Sequence, residues 1–231
     1  MSLILPAPMR VLQPITSGLI GYWPFWEGSG TVVADLTANR NNGTLVNSPM
    51  WTSGLFGNGI LFSGTTRITV SNPKNLQFYG TLPFSVSVWI NAPLSQTGGI
   101  IGIDKNQSGH FYGWSLGVTT AGKLNFEYND STGTDRATQS VGVLGSGSWH
   151  HLGISLSGTG LTFYIDGIGA GTSTLVNQLN NDGVLPLYIG FGDYQGANGY
   201  TPETLGQIRL FNTPLTDTDM GEEYYRGARS P

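Results

Sequence analysis

Few residues in this chain combine type and spacing in a way that could do chemistry. Asp35-Leu36-Thr37-Ala38-Asn39-Arg40-Asn41-Asn42-Gly43 sets one carboxylate and three side-chain amides on a turn-prone backbone. Oxygen donors of this kind suit calcium, which takes six to eight of them, and Asp35, Asn39 and Asn41 are the candidate ligands. The same run can close Asx turns on its own backbone, and with a single carboxylate it predicts a structural turn ahead of a tight calcium site. The loop from Phe191 to Tyr200 spaces aromatic rings with glycines. Phe191, Asp193, Tyr194, Asn198 and Tyr200 are candidates there for stacking on a sugar or bonding its hydroxyls, and His110 and Tyr112 form a second set. Rings of this sort also tuck back onto their own domain, and they make protein interfaces equally well.

The catalytic candidates are weaker. Gly113-Trp114-Ser115-Leu116-Gly117 has the letters of a nucleophile elbow, yet it lies in an alternating strand pattern with no helix after it. His150 and His151 are adjacent, and on a strand adjacent side chains point to opposite faces, so they cannot chelate one ion together. Glu127 stands alone in its segment, and Glu222-Glu223 fall in a C-terminal helical stretch. The absence of cysteine removes thiolate nucleophiles and Cys-ligated zinc. The expectation is a non-enzymatic protein with no cofactor other than the calcium candidate.

These residues need elements to hold them, and the composition says which. Only 10% of residues are charged, too few for long surface helices, while 35 glycines and 12 prolines punctuate short runs of Val, Ile, Leu, Phe, Trp and Tyr. Phe84–Ile90 alternates apolar and small polar residues and predicts a strand with one face on a core. Trp149–Ser157 and Leu161–Gly167 predict a hairpin across Gly158-Thr159-Gly160. Further strands are expected at 19–23, 59–62, 67–70, 100–104, 114–119, 123–128, 187–190 and 207–211. One helix is expected after Leu215, capped by Thr216 or Asp217 and stopped at Gly227. Residues 1–17 differ: Pro6, Pro8 and Pro14 space the apolar Leu3, Ile4, Leu5, Met9, Val11, Leu12 and Ile15, which predicts an extended arm. A net charge of −4 without a basic run argues against nucleic acid as a partner. No apolar run approaches the ~20 residues of a membrane helix, so no membrane partner is expected, and no secretory leader is read at the start.

Taken in order, Gly21-Tyr22-Trp23, Glu27-Gly28-Ser29-Gly30, Asp35 with Asn39–Thr44, Phe84–Ile90, Trp149-His150-His151, Tyr164-Ile165-Asp166-Gly167, Leu187–Gly190 and Ile208–Asn212 with Pro214-Leu215 resemble the laminin-G-like jelly rolls of the concanavalin A-like lectin/glucanase superfamily. The resemblance runs from Gly18 to about Tyr225, so residues 18–231 are read as one domain behind the arm. It implies an all-β, two-sheet antiparallel β-sandwich with neighbouring termini, one short C-terminal helix, and edge loops that in relatives bind calcium, glycans or proteins. It also implies a second calcium carboxylate on the last strand, where this chain has Gly206 or Gln207, and in the glucanases a Glu-x-Asp-x-Glu triplet that is missing here. Two functions follow as expectations. The first is a structural assembly protein, such as a capsid decoration or other virion surface protein, whose partners are capsid subunits or further copies of itself. The alternative is a carbohydrate-binding or adhesion module, extracellular or at a cell surface.

Overall fold

The computed structural model describes residues 15–71, 73, 75–94, 98–107, 110–180, 185–190, 192–194, 197–199 and 203–227, with the backbone alone at 104–107, 110–111, 192–194 and 197–199. Of the expected arm residues, Leu3, Ile4, Leu5, Met9, Val11 and Leu12 lie outside this set.

The described residues form, in chain order, β1 (Leu19–Trp23), β2 (Val32–Val33), β3 (Gly43–Val46), β4 (Met50–Gly54), β5 (Gly57–Phe62), β6 (Arg67–Val70), β7 (Phe84–Asn91), β8 (Gly98–Gln107) and β9 (His110–Val118). There follow β10 (Leu124–Asn129), β11 (Asp135–Gln139), β12 (Trp149–Ser157), β13 (Gly160–Ile165), β14 (Ile168–Thr174), β15 (Leu187–Ile189), β16 (Gly192–Tyr194), β17 (Ala197–Gly199), β18 (Glu203–Phe211) and α1 (Asp217–Gly227). One sheet runs β14-β13-β12-β7-β18-β5-β4, with β1 also on β18, and the other runs β11-β10-β9-β8-β15-β6-β3-β2. β16 and β17 make a separate small hairpin. The two-sheet antiparallel sandwich expected from the sequence is therefore present.

Alternation explains the core. Phe84, Val86, Val88 and Ile90 of β7 and Trp114, Leu116 and Val118 of β9 face each other between the sheets, all nearly inaccessible. Phe84 stacks on Phe78 at 4.4 Å and leans on Trp114 at 4.8 Å. Each such ring contributes roughly 1.5–3 kcal/mol by leaving water.

The opposite face of β7 is also covered. Thr216 opens α1 with a capping box in which its hydroxyl accepts from the Asp219 amide while the Asp219 carboxylate accepts from the Thr216 amide. α1 then lies on the outer face of the first sheet. A Cβ on Gly153 would sit 2.7 Å from Met220 Sδ, so the helix approaches because β12 carries no side chain there. Ser85 Oγ accepts from the Leu215 amide and donates to the Thr213 carbonyl, fixing the entry to the helix.

The first and last strands meet, since β1 pairs with β18 and the Asn212 amide donates to the Gly18 carbonyl. Ile15, expected as part of the extended arm, is seated on the domain with Leu19 against Tyr164, Phe211, Leu215 and Met220. The apolar cluster beside α1 would otherwise be open to water, and Ile15 closes it. Strands β2, β3, β4, β11 and β14 were not legible in the residues: they lie at or near sheet edges, where Thr, Ser and Gly serve as well as Val. Among the described residues no helix is long and apolar enough to cross a membrane.

Candidate functional site

The Asp35 run folds into a self-satisfied knot. Asp35 is fully buried, and its Oδ1 accepts from the amides of Tyr22 (3.0 Å) and Thr37 (2.9 Å). Its Oδ2 accepts from Thr37 Oγ1 (2.9 Å) and the Asn41 amide (2.8 Å). Asn39 Nδ2 donates to the Ile20 carbonyl, and the Asn41 carbonyl accepts from the core Trp23 Nε1. Asp35, Asn39 and Asn41 thus converge on one turn and tie it to β1. Gln207, at the position where the resemblance implied an acidic partner, accepts from Tyr22 Oη at 3.2 Å. No cluster of three or more His, Cys, Asp or Glu side chains arranged for a metal occurs among the described residues.

The histidine pair does separate to opposite sides. His150 Nδ1 meets Asp166 Oδ2 at 2.8 Å. His151 is fully buried under α1, with Nε2 2.9 Å from Ser87 Oγ, which also donates to Glu223 Oε2 at 3.2 Å. Burial, with Arg209 nearby, lowers the His151 pKa to about 3. Burial pushes the Glu223 carboxyl up, against the pull of Arg209 Nη1 at 2.9 Å. The serine, histidine and glutamate are those of a hydrolytic triad, but the carboxylate meets the serine and not His151 Nδ1, which has no partner. A triad needs its acid on that nitrogen, and this set is closed to solvent, so it acts as a brace for the helix.

A further row of polar and small residues, which residue spacing did not pick out, crosses the second sheet. Register places Ala137, Glu127, Ser115, Gly102, Tyr188, Thr69 and Thr44 in one row across β11, β10, β9, β8, β15, β6 and β3. From Glu127 to Thr69 their strand neighbours point into the core, so this row lies on the outer face of the second sheet. From Glu127 to Thr44 it is about 24 Å long at ~4.8 Å per strand. Its middle is low, because Gly102, Ser115 and Gly117 offer little side chain. Asn125 and Glu127 rise on one side, Tyr188 on the other, with the Arg67 guanidinium 5.7 Å over the Tyr188 ring. Ser115, Asn125 and Glu127 are 5%, 2% and 7% exposed. Asn125 Oδ1 and Thr69 Oγ1 are buried without a hydrogen-bond partner. The residues facing Glu127 across its two ladders are Ser115 and Ala137, and the diagonal Asp135 accepts from Asn129 Nδ2. A strand reading Leu-Asn-Phe-Glu-Tyr-Asn carried the local signal, apolar and polar in strict alternation; which residues stand beside it could come only from the pairing.

Of the loop candidates, Asp193, Tyr194 and Asn198 fall on the β16–β17 hairpin, whose first strand runs close to β8 and β9 and so flanks the low strip. Phe191 and Tyr200 lie outside the described residues. His110 opens β9. Tyr112, two residues on, is half-buried against the core, where alternation with Trp114 sends it.

Residues 62–220 match the laminin G model of the concanavalin A-like lectin/glucanases superfamily. Solved structures share the fold, among them the following three. The binding domain of Paraclostridial Mosquitocidal Protein 1 superposes with a TM-score of 0.69 at 16% identity, over 90% of this chain and 52% of that one. The binding domain of botulinum neurotoxin serotype G gives 0.70 at 12%, over 91% and 51%. Domain 4 of AbnA, an extracellular arabinanase of Geobacillus stearothermophilus solved in complex with arabinotriose, gives 0.68 at 15%, over 90% and 98%. The chain therefore spans about half the length of the two toxin binding domains. No curated protein sequence matches it.

Proposed function

The chain belongs to the concanavalin A-like lectin/glucanase superfamily, and from that premise we propose that it is a non-catalytic carbohydrate-binding module. Its ligand surface is the strip on the outer face of the second sheet, and the ligand is a neutral oligosaccharide. One observation carries this reading: Asn125 Oδ1 and Thr69 Oγ1 are buried there without partners. A buried acceptor left unmade costs about 1–3 kcal/mol, a cost that a ligand hydroxyl donating into the strip would remove. The half-buried Tyr188 supplies a ring for the apolar face of a sugar, and few polar groups around a low floor are what small-ligand sites offer. The arabinotriose complex of the arabinanase domain makes arabinan fragments the first ligands to try. An extracellular or cell-surface location goes with this role. The capsid or virion assembly role leans on the apolar residues ahead of Ile15, and the fold likeness does not favour it.

Calorimetry of the full chain against arabinotriose and a panel of neutral oligosaccharides tests the reading. Asn125→Ala and Tyr188→Ala should each weaken binding about tenfold or more with little change in Tm, the size expected for a lost buried hydrogen bond or stacked ring. Absence of binding to every glycan by the unaltered chain, or equal affinity in both variants, overturns it. Release of reducing ends that Glu127→Gln abolishes would show an enzyme instead.

A further inference from the structure

The outer face of the first sheet carries a second unexplained surface, and it is aromatic. Phe25 is fully buried at φ 60, a left-handed conformation that costs a bulky residue about 1–3 kcal/mol. Its effect is to turn Phe25 inward and Trp26 outward, leaving Trp26 62% exposed. Asn58 Nδ2 braces the Trp26 carbonyl at 3.2 Å, and the indole meets Tyr22 edge-on at 6.2 Å. Tyr22 Oη donates to Gln207, which belongs to the bulge between Leu205 and Ile208. Next to it, a Cβ on Gly206 would touch Trp89 Cβ at 3.2 Å and Trp149 Cζ3 at 3.4 Å, so two indoles flank a residue with no side chain. Phe56 closes the far end against Trp89 at 5.2 Å; Trp89 itself is the buried floor there, stacked under Tyr224 of α1 at 5.5 Å, with its Nε1 unpartnered. The result is a band of aromatic rings with a bare step in the middle. The nearby Arg209 is held by Glu223 and by the Tyr22 ring, so the band presents no unpaired charge at that point.

We infer that this band is the docking site of the chain's own residues 1–14. Three observations select this occupant. Ile15 already seats on the outer side of the same sheet, so the segment leaves from the correct face. Immediately after it, the Leu19 amide bonds to the Thr16 carbonyl with Gly18 at φ 73, a turn that reverses the chain. The turn places Ile15 and β1, which carries Tyr22, on the same face of the sheet. Finally, the segment is apolar and proline-spaced, with Pro6, Pro8 and Pro14 and a single charged side chain, Arg10. Aromatic-lined grooves recognise extended proline-containing segments because these lose little entropy on binding. At ~3.1 Å per residue, fourteen residues reach about 43 Å, several strand spacings and enough to cross from β1 to Trp89 on β7. Tethering through Ile15 holds the segment at an effective concentration in the millimolar range.

The chain has no cysteine, so Met9→Cys accepts one nitroxide label. In the full-length labelled protein, NMR signals of Tyr22, Trp26, Trp89 and Gln207 should lose more than half their intensity, while those of Thr69, Ser115 and Asn125 on the opposite sheet keep theirs. Trp26→Ala, a change at an exposed side chain, should restore the Gln207 signal. Broadening that is absent or spread over both faces overturns the inference. So does broadening of an isotopically labelled, nitroxide-free chain mixed with unlabelled nitroxide-bearing chain, which would make a second copy the occupant. Loss of signal on adding an oligosaccharide, without any effect of the nitroxide, would assign the band to glycan.

Discussion

Asp35 and His151 show how a buried polar side chain can organise this fold without being a catalytic group. Asp35 holds the turn after β2 to β1 through four donors. Asp35→Ala strands at least the Tyr22 and Asn41 amides, and a loss of roughly 3 kcal/mol in urea unfolding is expected from bonds to a charged group. With both carboxylate oxygens already engaged, 1 mM calcium against chelator should leave Tm unchanged. A rise of several degrees that disappears in Asp35→Ala would show that the knot opens to the ion. For His151 the fold favours the neutral ring. Its contribution is complete above the ordinary value near 6.5 and is lost as pH falls from there towards about 3. Glu223 works the other way, because a raised carboxyl binds its proton more readily in the fold than in the unfolded chain. Tm should therefore fall as pH drops from about 7 towards acid, and fall less in His151→Gln. An identical slope in the two proteins would remove His151 as the cause.

At the scale of elements, α1 is what makes the outer face of the first sheet an interior. Ser85, Ser87, His151 and Gly153 are polar or small, so the helix could not be held by apolar contact alone; the Arg209–Glu223 pair and Met220 over Gly153 supply the rest. Glu223→Ala leaves the Arg209 guanidinium largely buried and unmatched, a change that costs about 3–5 kcal/mol for buried pairs. Adding Arg209→Met should recover much of that loss. If the double variant is no more stable than the single, the pair is not coupled and the helix is held by packing.

The whole molecule closes on itself between sequence-distant strands, as Trp23 pairs with Ile208 and β7 with β18. Contacts so remote are made only after long loops have closed, so refolding should take milliseconds to seconds or longer, as for other sandwiches of non-local pairing. Stopped-flow tryptophan fluorescence reads it directly, and a single submillisecond phase would contradict it. The same closure sets the two unexplained surfaces on opposite faces: the polar strip outside the second sheet and the aromatic band outside the first. The proposed ligand binding at one and the inferred segment docking at the other can therefore be altered separately.

The strands that bury a full face, β1, β6, β7 and the β12–β13 hairpin, were legible because alternation over four or more residues has one interpretation when a core lies on one side. α1 was legible from Thr216 and Gly227, since helix ends must satisfy their own amides and carbonyls. Edge strands such as Asp135–Gln139 and Ile168–Thr174 carry no such pattern, because half their surroundings are water. The Asp35 turn could be read from the nine consecutive residues Asp35–Gly43, whereas Glu127, Ser115, Gly102, Tyr188 and Thr69 are neighbours only through ladder register. Trp26 looked like any aromatic until the left-handed Phe25 turned it outward. Residue order determined where local patterns begin and end; which distant residues share a face was decided by strand pairing, because a hydrogen-bonded ladder aligns residues regardless of their separation along the chain.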